Sequence, residues 1–210
     1  MRTMTPSDKS TTAVRKRFID AQAHLEASFE LAARIYRSGF KPTFIVGLWR
    51  GGSTVGIAVQ ECLEYLGVET DHIALRTSYS GLHNYPDLAE GRSAIRVHGM
   101  QYLLETLNSE DRLLLVDDVY SSGRSVGAVV DRLRQRLRRN LPAEIRTAAV
   151  WYRQRMNTSG IAPDYYLYLT DDWLVLPYEL TGVEEQLLET NKPALAPLLE
   201  RIRSSRSESR

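Results

Sequence analysis

Apolar residues along this chain repeat at two periods, and the order in which those periods alternate predicts the architecture. Val14, Phe18, Ala21, Leu25, Phe29, Ala32 and Ile35 fall three or four residues apart, the spacing that lines one face of an α-helix, and Gly39 stands as a stop. The repeat predicts a helix over 12–38. A short apolar strand is predicted at 43–48, turned by Trp49-Arg50-Gly51-Gly52 into a helix over 53–66 that Gly67 closes. Strands at 71–77 and 94–97, a helix at 100–107 and a central strand at 112–117 follow. A second helical repeat runs from Ser125 towards Arg139. Strands at 145–152, 165–169 and 173–176 and helices at 183–189 and 194–203 complete the chain. Strands alternating with helices predict a doubly wound α/β domain with a mostly parallel sheet covered on both faces.

The exception to periodicity is 78–93, where Gly, Asn and Pro interrupt every repeat and predict a loop. It is longer than an ordinary connection, which marks it as a candidate lid. No repeat or linker interrupts 12–203, so that span reads as one domain between a flexible start, 1–11, and a flexible tail, 204–210.

Composition narrows the function classes. The 210 residues suffice for a substantial core, and 27 basic against 26 acidic residues leave a net charge of +1. No global field favours nucleic acid, which is not an expected partner. The run Arg132, Arg134, Arg136, Arg138 and Arg139 reads as a solvated face that complements a helix carboxyl end. Cys62 is the only cysteine; it lies within a helical apolar pattern, excludes an internal disulfide framework and suits a cytoplasmic setting. His24, His72, His83 and His98 lack metal-ligand spacing, so no structural zinc is expected. Residues 1–10 lack the apolar segment of a signal peptide, and no apolar run is long enough for a bilayer, so no membrane association is expected.

Chemistry concentrates where the apolar strand ends. Leu113-Leu114-Leu115-Val116 runs into Asp117-Asp118, then Val119-Tyr120-Ser121-Ser122-Gly123-Arg124-Ser125 opens a helix. Such a strand sets both carboxylates at its carboxyl end, where open α/β sheets bind ligands. The Ser/Gly loop offers N–H groups and hydroxyls at the positive end of a helix, a setting for phosphate. Carboxylates beside a phosphate cradle suit a ligand that brings hydroxyls and a metal, such as a sugar phosphate. Arg50-Gly51-Gly52 forms a second strand-to-helix turn at the same sheet edge, with a forked cation for phosphate oxygens. Gly47 to Thr54 has the glycine spacing of a P-loop, but Ser53 stands where its Lys belongs, which argues against an NTPase.

These residues resemble the PRPP (phosphoribosyl diphosphate) signature of type I phosphoribosyltransferases, a match that spans roughly 40–180. Trp49-Arg50-Gly51-Gly52 is similar to the family's pyrophosphate loop, and Ser78-Tyr79 to the opening of its mobile catalytic loop. Asp164-Tyr165-Tyr166 and Asp172-Trp173-Leu174-Val175-Leu176-Pro177-Tyr178-Glu179 resemble the base-binding end of bacterial and archaeal hypoxanthine and xanthine–guanine enzymes. The resemblance implies a hood over the base site and transfer of 5-phosphoribosyl from PRPP to a 6-oxopurine base, giving a nucleoside monophosphate and pyrophosphate with Mg²⁺. It implies Asp117 and Asp118 on the ribose hydroxyls, Asp118 on Mg²⁺, and Ser121, Ser122, Gly123, Arg124 and Ser125 around the 5′-phosphate. Arg50 and Gly51 would meet pyrophosphate beneath Ser78 and Tyr79. Arg153, with Arg155 as its rival, would contact the base, and Trp173 and Leu174 would cover it. A homo-oligomer is implied as well. One position departs from the pattern: purine enzymes commonly carry Asp where this chain has Ser121, and serine is a poor general base at neutral pH. Orotate-type members carry a small residue there. A non-purine base, or a PRPP- or nucleotide-sensing regulator of the same fold, therefore stays open beside purine salvage.

Overall fold

The computed structural model describes residues 16–79 and 95–207. The strands are β1 (Lys16–Phe18), β2 (Phe44–Trp49), β3 (Asp71–Tyr79), β4 (Ile95–His98), β5 (Arg112–Tyr120), β6 (Glu144–Tyr152), β7 (Tyr165–Leu169) and β8 (Trp173–Val175). The helices are α1 (Ala21–Arg37), α2 (Gly51–Tyr65), α3 (Gln101–Thr106), α4 (Arg124–Leu137), α5 (Glu185–Asn191) and α6 (Ala196–Ser207). None of the described helices is long and apolar enough to cross a membrane.

The expected α/β architecture is present. Six strands form one sheet in the order β4-β3-β2-β5-β6-β7, parallel throughout except for β3 against β4. From β2 the chain moves outward to β3, then crosses back to β5 on the other side of β2. The strand order reverses between β2 and β5, the point at which open α/β sheets leave a ligand crevice.

Central strands are apolar on both faces because helices cover both. Phe44, Val46, Leu48, Leu113 and Leu115 share one core with Leu103 of α3 and Val126, Val129 and Leu133 of α4. Ile45, Leu114 and Val116 alternate onto the opposite face, where α2 packs on β2 and β5 with Val55, Val59 and Leu63 buried.

The chain forms two compact units. Leu25–Asp171 holds the six-stranded sheet; the second unit contains described residues 16–24 and 172–207. In the second unit β1 pairs in parallel with β8, Lys16 opposite Trp173 and Phe18 opposite Val175. Lys192 Nζ donates to the carbonyls of Leu176, Pro177 and Glu179 at 2.8, 2.9 and 2.7 Å, which fixes the turn after β8.

Three boundaries correct the sequence expectation. The first helix begins at Ala21 rather than 12, because Asp20 accepts the N–H groups of Gln22 and Ala23 at 2.8 and 3.1 Å and caps it. Residues 16–18 are strand instead, since pairing with β8 outweighs a local helical repeat. β5 runs on to Tyr120, held beside β6 through Tyr120 opposite Tyr152. β3 likewise runs through Ser78 and Tyr79, opposite Arg96 and Ile95 of β4, so this pair is strand rather than loop. The rest of the predicted loop up to 93, and the predicted flexible start, lie outside the described residues.

Candidate active site

Two glycines bring the first turn against the second. A Cβ on Gly47 would lie 2.9 Å from Gly52 O and from Ser53 Cα, and one on Gly52 would lie 2.3 Å from Val116 O and 3.0 Å from Asp117 Cα. Only bare backbone permits this approach, and it seats the amino end of α2 on the strand end that carries the carboxylates. Arg50 is exposed ahead of the helix, and the Trp49–Arg50 peptide is cis. Ser53 N–H donates to Arg50 O at 3.2 Å and the Thr54 hydroxyl to Gly51 O at 2.7 Å. The Ser53 hydroxyl is buried with no hydrogen-bond partner among the described residues.

Asp117 and Asp118 sit half-buried near the carboxyl end of β5. Asp118 N–H donates to Asp117 Oδ1 at 3.0 Å and Val119 N–H to Asp118 Oδ1 at 2.7 Å, so each carboxylate is oriented by the next peptide. Burial, and secondly the Asp118 charge, push the Asp117 carboxyl well above the ordinary carboxylate range. Beyond Tyr120 the chain turns in three residues into α4, with Gly123 at φ 75° in the left-handed region. A Cβ there would meet Ser159 Oγ at 2.3 Å and Tyr120 Oη at 2.7 Å, so glycine is required twice over. Arg124 N–H donates to Ser122 Oγ at 3.3 Å. Asp117, Ser121, Ser122, Gly123 and Ser125 line a cavity of about 210 Å³ at this turn. N–H groups at a helix start beside a left-handed glycine favour an anion.

The flanking strands complete the edge. Thr77 Oγ1 of β3 lies 3.5 Å from Ser125 Oγ. Ser78 shares a 2.9 Å hydrogen bond with His98 Nε2 of β4, and Tyr79 is the last residue of β3. After β6, Arg153 N–H donates to Tyr120 O at 2.9 Å, which sets Arg153 beside the strand end that leads to Ser121. Its guanidinium reaches Asp171 O at 3.4 Å, while Arg155 Nε pairs with Asp171 Oδ2 at 3.2 Å. Arg155, Leu169, Thr170 and Asp171 line a cavity of about 330 Å³. Trp173 and Leu174 belong to the second unit, where Trp173 is exposed and Leu174 buried. Asp164 stands at the amino end of β7, tied to Thr147 N–H at 2.7 Å, away from the carboxyl-end edge.

The structure thus gathers Arg50, Gly51, Asp117, Asp118, the 121–125 turn and Arg153 at one edge of one sheet. Sequence reasoning named neither Thr77 nor Asp171, weighed Gly47 only within a rejected P-loop, and read Gly52 as turn freedom that brings N–H groups to an anion. The glycine spacing from 47 to 52 was visible, but the contact of Gly52 with Val116 arises only when β2 and β5 are neighbours.

Residues 15–176 match the model of the phosphoribosyl transferase domain family. The chain belongs to the phosphoribosyltransferase family. As a phosphoribosyltransferase it is an enzyme of the glycosyltransferase type, and its reaction is phosphoribosyl transfer. No curated protein matches it in sequence. Solved structures share its fold. A purine phosphoribosyltransferase from Pyrococcus horikoshii Ot3 superposes with a TM-score of 0.60 at 21% identity, covering 81% of this chain and 98% of its own. A Neisseria gonorrhoeae protein with bound ppGpp gives 0.63 at 17%, covering 86% and 98%. The xanthine–guanine–hypoxanthine phosphoribosyltransferase of Helicobacter pylori gives 0.58 at 16%, covering 79% and 95%.

Proposed function

We propose that this phosphoribosyltransferase moves the 5-phosphoribosyl group of PRPP to a 6-oxopurine (hypoxanthine, guanine or xanthine) in purine salvage. One observation carries the reading: Gly52 seats the Arg50-Gly51 turn on Asp117, one short loop before the 121–125 cradle. A diphosphate, two ribose hydroxyls and a 5′-phosphate lie in that order along PRPP. Arg50 and the Gly51 N–H bind the pyrophosphate, Asp117 and Asp118 accept the ribose hydroxyls, and the amides and hydroxyls of Ser121, Ser122, Gly123, Arg124 and Ser125 hold the 5′-phosphate. Ser78 and Tyr79 border the pyrophosphate from β3.

Mg²⁺ fits the donor set. Two adjacent carboxylates, one with a proton affinity raised by burial and by its neighbour, favour a cation, and among the described residues no third ligating side chain clusters with them. Mg²⁺ takes one or two carboxylates and completes its shell with water and substrate oxygens. Asp118, assisted by Asp117, would hold it, and the ion would neutralise charge on the departing pyrophosphate.

In the reaction the C1–oxygen bond to pyrophosphate breaks while a purine nitrogen bonds C1. No protein nucleophile is required, and catalysis consists of holding both reactants in line and stabilising the leaving charge with Arg50 and the α2 N–H groups. Arg153 donates to the 6-oxo group and disfavours a 6-amino group. Ser121 orients the base by a hydrogen bond, and water takes the proton that leaves its nitrogen.

Pyrophosphate release from PRPP and Mg²⁺ with guanine, hypoxanthine, xanthine, adenine and orotate tests the reading. Turnover with at least one 6-oxopurine, at least about tenfold above adenine and orotate, is expected; turnover with adenine or orotate alone overturns it. Arg153→Ala is expected to raise the base KM and leave the PRPP KM unchanged. If Arg155→Ala does so instead, the role belongs to Arg155. A second reading, a nucleotide-sensing regulator, is favoured by the ppGpp-bound relative of similar fold. It requires PRPP-competitive nucleotide binding without turnover of any base.

A further inference from the structure

The loop after β6 closes onto the back of the phosphate cradle, and its contacts converge on one carbonyl. Ser122 O accepts the Thr158 N–H at 3.3 Å, the Ser159 N–H at 3.1 Å and the Thr158 hydroxyl at 3.3 Å. A trans peptide holds its C=O and N–H on opposite sides. Anchoring Ser122 O to Thr158 and Ser159 therefore turns the Gly123 N–H to the side away from that loop. The donors themselves are held by Asn157. Its Nδ2 donates to Tyr152 Oη and Ile161 O, both at 2.9 Å, and its Oδ1 accepts Ser159 N–H at 2.9 Å and Ser159 Oγ at 2.8 Å. All four hydrogen-bonding positions of the amide are used, which few other side chains could reproduce. Tyr120 Oη, at the end of the carboxylate strand, donates to the same Ile161 O at 2.9 Å. The absence of a Cβ at Gly123 lets Ser159 Oγ close the gap.

We propose that Asn157 is a positioning residue for the 5′-phosphate: it clamps the 157–161 loop as a brace that fixes the direction of the Ser122–Gly123 peptide. Asn157 touches no reacting atom and acts through Ser122. The inference rests on the reading of the 121–125 turn as the 5′-phosphate site. It assigns a role to a half-buried residue outside every motif of the sequence.

Titration calorimetry with ribose 5-phosphate and, separately, pyrophosphate tests it, with thermal melts alongside. Asn157→Ala is expected to weaken ribose 5-phosphate by about tenfold while pyrophosphate affinity stays within about twofold. Asn157→Asp keeps the two acceptor contacts, loses both donors and is expected to fall between. Ser159→Ala retains the N–H on Ser122 and serves if Asn157→Ala does not fold; a loss of about threefold is expected. Unchanged ribose 5-phosphate affinity in a folded variant overturns the brace, as does equal weakening of both ligands with a lowered Tm. A wild-type chain that binds ribose 5-phosphate without turning over PRPP sinks only the transferase reading. One that does not bind ribose 5-phosphate sinks the brace.

Discussion

At Asp117 burial and the adjacent Asp118 charge together disfavour ionisation. A proton held more tightly in the folded state stabilises the fold below the unfolded pKa, and that stabilisation is lost as pH rises through the folded pKa. At neutral pH the ligand-free fold thus strains against its own site. Asp117→Asn is expected to raise Tm, by about 2–4 °C for each kcal/mol relieved, and to cut PRPP turnover at least about 100-fold. A variant no more stable than wild type would remove the electrostatic cost. His72, at the far end of β3, has the opposite sign. Burial lowers its pKa, against a smaller pull from Asp71. Its Nδ1 lies 3.2 Å from Gln60 Oε1, and its Nε2 is buried against Gly56 with no acceptor among the described residues. An imidazolium there would bury an unsatisfied N–H, so this stability is present above the unfolded pKa of about 6.5 and lost as pH falls below it. Melts from pH 7 to pH 5 should show a larger fall in Tm for wild type than for His72→Gln. At this scale the sequence displayed the carboxylate pair and the cradle, but neither burial nor the partner of a single imidazole.

Gly52 decides how α2 meets the sheet. Gly52→Ala drives a Cβ to 2.3 Å from Val116 O, and no rotamer relieves a backbone clash. A loss of about 1–3 kcal/mol is expected, with lowered kcat/KM because the Arg50 turn shifts with the helix. Gly127, the fourth residue of α4, is the control: among the described residues nothing lies within 4 Å of its Cβ position. Gly127→Ala should stabilise by about 0.5–1 kcal/mol at unchanged activity. Urea unfolding of both variants checks the pair, and a tolerated Gly52→Ala would contradict the packing. Helices and buried strands were legible because their apolar periods are local. Lys16–Phe18 was misread because its strand character comes from β8, more than 150 residues later in the chain. The ends of β3 and β5 were cut short because Ser78 after Arg76-Thr77, and Asp118 after Asp117, read locally as the start of a loop although the ladders continue past them.

For the whole molecule, the switch between β2 and β5 turns two ordinary strand-to-helix turns into a single site. The alternation of elements foretold such a sheet, and the resemblance supplied the ligand proposed for it; the close approach of the two turns could come only from the three-dimensional strand order. The brace shows the same limit, since Asn157-Thr158-Ser159-Gly160 reads in sequence as turn composition alone. The most direct test of the site is kcat/KM for PRPP, measured as base-dependent pyrophosphate release with Mg²⁺, in wild type and in an Asp117→Asn/Asp118→Asn double variant. The expected result is turnover in wild type and a loss of at least about 1000-fold in a double variant that melts no lower. An unchanged kcat/KM in the double variant would contradict a PRPP site at the end of β5.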